Sequence, residues 1–232
     1  MKRIVISGTY CTGKTTLSLA LERASGISCT HALTMREILP KLFPGKNLRD
    51  CSYAELICLG MKRFEDRIRK ESELGNSFIS DGCPLQEWLY GSTRLITGAY
   101  PDEYPYKILL KKFFNYRSYK DFKKLLNGFE GMAKVYTKKK YDIFFHLPVE
   151  FPFIADGHRP TSEKFRTISE NRLLETYSKM GIETILIPGS LQERLSKILD
   201  VLKIVPKHEI SDCIAYAHEF RKCKFDNVRL EQ

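Results

Sequence analysis

One eight-residue pattern near the amino terminus constrains this chain more than any other feature of its sequence. The pattern GxxxxGK[ST] is formed by Gly8, Thr9, Tyr10, Cys11, Thr12, Gly13, Lys14 and Thr15. In such a loop the backbone N–H groups point inward around phosphate oxygens, the lysine reaches the β and γ phosphates, and the threonine hydroxyl ligates Mg²⁺. The sequence therefore predicts a site for a nucleoside triphosphate and Mg²⁺.

The residues on either side of this loop provide the context that the pattern requires. Residues 2–7 form a short β-branched run, which predicts a buried strand. Residues 15–24 carry leucines at 17, 19 and 21 and predict a helix, whose N-terminus adds a partial positive charge toward phosphate. Thr16, which directly follows the motif, has either a structural role or a hydroxyl within reach of the α phosphate.

Predicted strands alternate with predicted helices along the whole chain. The strands are expected at residues 2–7, 27–31, 77–80, 141–147 and 183–187. This alternation indicates an α/β fold, a doubly wound parallel sheet of about five strands with helices on both faces. We expect one domain over residues 1–232. It would include a helical insertion at about 98–139, a lid at about 148–163 and a C-terminal helix at about 207–225.

Composition narrows the setting in which such a domain would work. No stretch is apolar for the roughly 18 residues that a membrane span needs, so no membrane partner is expected. The seven cysteines are scattered and never spaced as CxxC, which favours reduced thiols and a cytoplasmic location over zinc or disulfides. The net charge of +10 indicates a nucleic-acid partner, a site for phosphorylated substrates, or a solvated lysine-rich surface.

Asp81 follows the third predicted strand directly. Ligands of open parallel sheets bind at the carboxyl ends of the strands, so this carboxylate is expected near the phosphate loop. There it would accept the proton of an attacking hydroxyl or hold a water of Mg²⁺. The alternative is an Asp-Gly turn or a helix cap. Because no guanine-reading NKxD follows, we interpret the chain as a small kinase rather than a GTPase.

Two later segments are candidates for the rest of the donor site. Arg159 ends the sequence Asp-Gly-His-Arg in an irregular segment, where an arginine on a lid could fold over the transferring phosphate. The alternative is a plain turn with a surface arginine, and Arg166 is a second lid candidate. Gly189 lies in a tight turn after the last strand, where an adenine ring could rest against backbone.

Six residues are candidates for binding the acceptor. They surround the expected crevice and are Tyr10, His31, Arg36, Glu55, Asp81 and Trp88. Trp88 is the only tryptophan, and it would either stack on a planar ring or pack in the core. His31 would either bond the acceptor or be an ordinary polar loop residue.

Four strings together resemble a known family. VISGTYCTGKTTLSLAL, FISDGCPLQEWLYG, YDIFFHLPVEFPFIADGHRPTSEKFR and GSLQERLSKI are similar to the P-loop AAA-type kinase-like family that includes the ribosylnicotinamide kinase domain. The resemblance implies a P-loop NTPase fold, ATP with Mg²⁺, and a small hydroxyl-bearing acceptor. It also implies that Lys14 and Thr15 serve phosphate and metal, Asp81 is the base or a metal-side carboxylate, and Arg159 is the lid arginine.

The sequence departs from the broader kinase pattern beside Asp81. Those enzymes commonly carry an arginine after the acidic residue, and here Gly82 follows it. Either Arg36 or Arg94 is a candidate to supply the missing charge. The departure also weakens the case for a nucleoside monophosphate as acceptor.

Three functions are consistent with these features. The first is a kinase that phosphorylates a small molecule, such as a nucleoside, a nucleoside-like antibiotic or another metabolite. The second is a kinase acting on nucleic-acid ends, suggested by the positive charge. The third is a non-catalytic ATP-binding switch that uses its C-terminal helix as a partner surface, and a homodimer is compatible with each.

Overall fold

A computed structural model describes residues 2–97, 104–151 and 162–225 of the chain. Its sheet has four parallel strands in the order β2-β1-β3-β4. The strands are β1 (Arg3–Ser7), β2 (Phe78–Asp81), β3 (Ile143–His146) and β4 (Thr184–Leu186). The predicted parallel α/β architecture is confirmed.

Nine helices are present in the described ranges. They are α1 (Lys14–Ser25), α2 (Met35–Leu42), α3 (Tyr53–Leu74), α4 (Pro84–Thr97), α5 (Pro105–Phe114), α6 (Tyr116–Lys140), α7 (Glu163–Lys179), α8 (Leu191–Leu202) and α9 (Ile210–Phe225). The predicted insertion thus forms α5 and α6, and the predicted C-terminal helix forms α9. Most of the predicted lid, residues 152–161, lies outside the described residues.

The second predicted strand, at residues 27–31, is shorter than expected. Only an isolated parallel bridge between Cys29 and Ile79 of β2 forms there. Gly26 and His31 flank it with positive φ angles of 73° and 45°, so the chain turns away at both ends after too few extended residues. The sheet therefore has four strands and one bridge rather than about five strands.

Strands β1, β2 and β3 are largely buried on both faces, as their apolar runs predict, whereas Ile185 and Leu186 of the edge strand β4 are exposed. On one face Ile4 and Ile6 pack in a cluster with Leu17 of α1 and Ile198 of α8. On the other face Val5 of β1 packs in a second cluster with residues of α3, α4, α6 and α7. Two hydrophobic layers consequently hold β1 rigidly at the centre of the sheet.

Helices α3 and α8 each begin with a polar cap. Ser52 with Glu55 and Ser190 with Glu193 both match the S-x-x-E pattern of a capping box, and they form such boxes at the starts of α3 and α8. In each case the serine hydroxyl accepts a hydrogen bond from the backbone N–H of the glutamate. These caps satisfy N–H groups that a helix N-terminus leaves without intrahelical partners.

A buried ion pair joins α3, α4 and the end of β2. Arg67 donates hydrogen bonds to the Ser80 hydroxyl at 2.8 Å and to the Gly82 carbonyl at 3.0 Å. Its second terminal nitrogen lies 3.2 Å from a carboxylate oxygen of Glu87, and both side chains are 1% exposed. Arg67 therefore holds the backbone on both sides of Asp81.

We expect Arg67→Ala to destabilise the protein strongly. The substitution leaves the Glu87 carboxylate with one fewer buried partner, and breaking such a pair costs about 3–5 kcal/mol. Arg69→Ala is the matched control, because Arg69 lies on the same helix and its side chain is 53% exposed. Its guanidinium is open to solvent, which screens its ion pairs, so its removal should lower the free energy of unfolding much less. Urea unfolding of the two variants measures the difference, and equal losses would contradict the interpretation.

Candidate functional site

The predicted phosphate loop joins β1 to α1, with backbone conformations that require its glycines. Gly8 has φ 144° and Gly13 has φ 91°, while Cys11 takes a left-handed φ of 60°. A Cβ at Gly8 would lie 2.7 Å from Thr12 Oγ1 and 2.8 Å from the Leu147 carbonyl oxygen. Only glycine satisfies both restrictions at residue 8.

Hydrogen bonds close the loop on itself and onto α4. The Thr12 hydroxyl donates to the Thr9 carbonyl at 2.9 Å, and the Lys14 ammonium donates to the same carbonyl. Gln86 of α4 donates to the Gly8 carbonyl, while its own oxygen accepts from the Cys83 N–H at 2.9 Å. The ammonium of Lys14 is thereby held against the backbone of the loop.

Asp81 lies directly beside the threonine that ends the motif. The Thr15 hydroxyl donates a hydrogen bond of 2.6 Å to Asp81 Oδ2. This contact exists because β1 and β2 pair in parallel with Ile6 opposite Asp81, so both strands end at one edge of the sheet. The predicted neighbourhood of the phosphate loop and Asp81 is therefore present in the structure.

The second carboxylate oxygen of Asp81 indicates what this corner could hold. Asp81 Oδ1 is buried and has no hydrogen-bond partner among the described residues. Buried polar atoms are nearly always paired, so this one calls for a missing partner. A hydroxyl and a carboxylate are the hard oxygen ligands that Mg²⁺ prefers, directly or through water. Thr15 and Asp81 therefore fit the predicted metal.

Two arginines that the sequence analysis did not single out approach the phosphate loop. Arg194 of α8 donates to the Thr12 carbonyl at 2.7 Å, and Arg221 of α9 donates to the Thr16 hydroxyl at 2.6 Å. They lie about 180 and 205 residues from their partners in the chain. No local pattern marks such a long-range contact, which is why sequence reasoning missed them. Thr16 is thus occupied by a protein contact in the structure.

Arg194 also connects the phosphate loop to the turn expected to contact adenine and to the predicted lid. Its other terminal nitrogen lies 2.7 Å from Glu150, which itself accepts a hydrogen bond of 2.9 Å from the Gly189 N–H. The hydrogen bond from Arg194, with that from Gly189, lowers the pKa of Glu150. The predicted adenine turn at Gly189 is therefore linked to the phosphate loop through one buried guanidinium.

Aromatic side chains border the loop on the side of α4 and α7. The Tyr10 ring lies 6.4 Å from that of Tyr90 and 5.7 Å from that of Phe165, measured between centroids. The Tyr10 hydroxyl donates to the Ser162 carbonyl at 2.8 Å. Tyr10 consequently connects the phosphate loop to the residue that caps α7, which lies near the end of the predicted lid.

A buried polar cluster supports the loop from behind. The Ser7 hydroxyl lies 3.2 Å from His146 Nδ1 and 2.9 Å from the Tyr177 hydroxyl. Burial raises the pKa of Tyr177 well above its usual range, so its hydroxyl stays protonated. The end of β1 is therefore anchored to β3 and α7 immediately before Gly8.

The other acceptor candidates are engaged by different neighbours. The His31 ring lies 3.0 Å from a Glu22 carboxylate oxygen and 5.5 Å from the Phe220 ring. Glu55 caps α3, and a hydrogen bond from Lys46 together with the cap lowers its pKa to about 2. The side chain of Arg36 and the whole of Arg159 lie outside the described residues.

Trp88 belongs to the core cluster on the α4 and α6 side of the sheet and is 6% exposed. The ammonium of Lys134 and the guanidinium of Arg172 lie 5.9 and 6.0 Å from its ring. The ring also lines a cleft of about 520 Å³ between α4, α6 and α7. Core packing is therefore the observed role of Trp88, and stacking on an acceptor stays a prediction.

Two further arginine candidates have identified neighbours in the structure. Arg166, considered for the lid, is 1% exposed and donates to the Phe151 carbonyl at 2.6 Å. Arg94, considered as the missing charge, acts electrostatically on the thiol of Cys51. The arginines observed at the phosphate loop are instead Arg194 and Arg221.

Comparison with known proteins agrees with this geometry. A family model described as an AAA domain matches residues 3–194, which include the phosphate loop, Asp81 and Arg194. The chain belongs to the AAA domain family. Searches of curated proteins and of solved structures gave no match. In this AAA domain, α9 and its Arg221 lie beyond the matched residues.

Two features are missing from the part of the chain that the structure describes. None of the helices described in the structure is long and apolar enough to cross a membrane. The same described ranges contain no cluster of three or more histidine, cysteine, aspartate or glutamate side chains able to hold a metal ion. The metal expected in this AAA domain would therefore depend on Thr15, Asp81 and the bound phosphates.

We expect Arg194→Ala to weaken nucleotide binding. Removal of the guanidinium frees the Thr12 carbonyl and unties Glu150, and loss of a charged hydrogen bond of this kind costs about 1.5–3 kcal/mol, or on the order of tenfold or more in Kd. Lys197→Ala is the control, since Lys197 is an exposed residue of the same helix. Calorimetric titration with an ATP analogue measures both. If Arg194→Ala bound the analogue as tightly as Lys197→Ala and the native protein do, Arg194 would not shape the loop.

Proposed function

We propose that this AAA domain is an ATP-dependent kinase that transfers the γ-phosphoryl group to a hydroxyl of a small molecule. The observation that carries the proposal is the Asp81 carboxylate, 2.6 Å from the Thr15 hydroxyl, with a second oxygen that is buried and lacks a partner among the described residues. Because Asp81 Oδ2 is bonded to Thr15, Oδ1 is the oxygen available to a group from outside the chain. A phosphoryl transfer needs a group that receives the proton of the attacking hydroxyl.

The residues at the site would divide the work between donor and acceptor. The backbone N–H groups of residues 8–15 would hold the triphosphate, and Lys14 would neutralise charge on its β and γ phosphates. Asp81 would orient the acceptor hydroxyl and take its proton as the oxygen attacks the γ phosphorus. Mg²⁺, held from Thr15 and Asp81, would supply charge neutralisation on the phosphate oxygens. Arg159 stays a proposed lid residue.

The surroundings of Asp81 support a small, planar acceptor such as a nucleoside or a nucleoside-like metabolite or antibiotic. Tyr10, Tyr90 and Phe165 border the loop, and Tyr90 is partly exposed, so aromatic faces lie next to the phosphate site. Planar rings bind well to such faces. The positive charge offers less support for a nucleic-acid end as acceptor, because it is concentrated in α5 and α6.

We expect Asp81→Asn to remove phosphoryl transfer while leaving the binding of Mg²⁺-free ATP nearly unchanged. The amide preserves the shape of the side chain but cannot take the proton, and loss of a general base lowers kcat by about 10²- to 10⁴-fold. Release of ADP with a panel of nucleosides, nucleoside-like antibiotics and other hydroxylated metabolites would identify the acceptor, and mass spectrometry would confirm its phosphorylation. The matched control is Asp212→Asn, because Asp212 is an exposed residue of α9.

Two outcomes would contradict the proposal. Full transfer by Asp81→Asn would remove the assigned base. Tight ATP binding by the native protein, with no phosphorylated product across the whole panel, would instead favour a regulatory ATP-binding role.

A further inference from the structure

Helix α5 exposes an unusual amount of apolar surface. Phe113, Phe114 and Leu109 are 78%, 77% and 72% exposed, and Leu110 is 50% exposed. The tyrosines that flank this group, Tyr104, Tyr106 and Tyr116, are each at least 60% exposed. We call these seven residues the α5 patch. Scattered exposed apolar residues are normal, but a contiguous group on one short element marks an interaction surface.

The same segment carries almost all of the net charge of the protein. Residues 105–140 contain eleven lysines and arginines but only two acidic residues, a formal charge of +9 within a chain of +10. Lys120 and Lys124 are exposed, and the Lys120 ammonium lies 5.9 Å from the Tyr116 ring of the α5 patch. Apolar surface and positive charge therefore occur together.

The packing of the insertion leaves this patch apart from the nucleotide site. Helix α5 packs against α6, and α6 in turn packs against α3 and α4. Helix α1, which follows the phosphate loop, packs mainly with α8, α9 and the sheet. None of the contacts described above for the phosphate loop or for Asp81 involves the α5 patch, Lys120 or Lys124.

We propose that the α5 patch binds the surface of an anionic lipid bilayer. Phenylalanine and leucine side chains would enter the boundary between headgroups and acyl chains, with the lysines and arginines of residues 105–140 against anionic headgroups. At 10 residues α5 is half the length that a spanning helix needs, so it would lie in the interface. This inference replaces the expectation of no membrane partner, and it does not depend on phosphoryl transfer.

Two other occupants fit the patch less well. Single-stranded nucleic acid binds to aromatic faces by stacking, whereas Leu109 and Leu110 offer none, and the Phe113 and Phe114 rings are edge-to-face at 86°. A second copy of the chain in a twofold dimer would bring the same surface of each protomer together. Each copy would then bring its +9 segment to the contact, and the like charges would repel.

Co-sedimentation of the full chain with vesicles tests the proposal. The vesicles would contain phosphatidylserine and phosphatidylcholine in equal parts, with pure phosphatidylcholine vesicles as reference. We expect the native protein to sediment with the anionic vesicles and to lose on the order of tenfold in partitioning with Phe113→Ser/Phe114→Ser, because binding scales with the apolar surface inserted. We expect a similar loss with Lys120→Glu/Lys124→Glu at low salt, where surface charges are least screened.

Matched controls separate the patch from exposure and charge in general. Val205→Ser changes an apolar residue that is 86% exposed outside the insertion, and Lys179→Glu/Lys222→Glu changes two exposed lysines elsewhere. Both control variants should sediment with the anionic vesicles as fully as the native protein does. Neither variant alters the α5 patch or the charge of residues 105–140. Because the substituted side chains are exposed, all variants should keep the native unfolding midpoint and ATP affinity.

Several results would overturn the proposal. One is no sedimentation of the native protein with anionic vesicles. Another is undiminished binding by Phe113→Ser/Phe114→Ser, or an equal loss in both control variants. A third is that the protein does not bind vesicles but binds single-stranded RNA, or forms a dimer, through Phe113 and Phe114.

Discussion

The parallel pairing of β1 with β2 is the contact on which the candidate site depends. Ile6 lies opposite Asp81 in this register, so the phosphate loop and the acidic strand end emerge at the same edge of the sheet. A slip of one residue would send the Asp81 side chain to the opposite face. The register is secured by burial on both faces of β1 and by Arg67, which bonds to Ser80 and Gly82 on either side of Asp81.

The loop itself is held by residues from distant parts of the chain. Gln86 bonds to the Gly8 carbonyl, Arg194 bonds to the Thr12 carbonyl, and Arg221 bonds to the Thr16 hydroxyl. Charged and amide donors on carbonyls leave the N–H groups of the loop for other acceptors. Phosphate oxygens are acceptors of this kind. The surrounding residues thus leave the loop as a set of hydrogen-bond donors for an anion. Glu150 and Tyr10 connect the loop to the predicted adenine turn and to the predicted lid.

Charge is distributed unevenly over the protein, and this changes how the net charge should be interpreted. If the lysines were spread evenly, they would indicate only a solvated surface. Instead the net positive charge is concentrated in residues 105–140, beside exposed phenylalanines and leucines. The phosphate loop is bordered by a few cations that are individually bonded, whereas the insertion presents many cations together with apolar side chains. The two regions therefore suit different ligands, one a single small anion and the other an extended anionic surface.

The sequence by itself determined the local features of this protein. Phosphate-loop residues 8–15 and the capping boxes at Ser52 and Ser190 could be predicted because each depends on neighbours within a few residues. The strand at 27–31 could not be predicted correctly, because the positive φ angle of His31 ends it early. Family membership followed from the loop and its flanks.

Only the tertiary structure decided which distant side chains complete the site. Arg194 and Arg221 reach the loop across about 180 and 205 residues, a separation at which no periodicity or spacing carries information. For Trp88 the sequence was compatible with either an acceptor site or the core. The packing of α4 against α6 placed its side chain in the core. The contact between Thr15 and Asp81 lies between these cases. The strand ends predicted that the two would be near each other, but the register of β1 and β2 alone determined the 2.6 Å hydrogen bond and left the second oxygen of Asp81 for a partner from outside the chain.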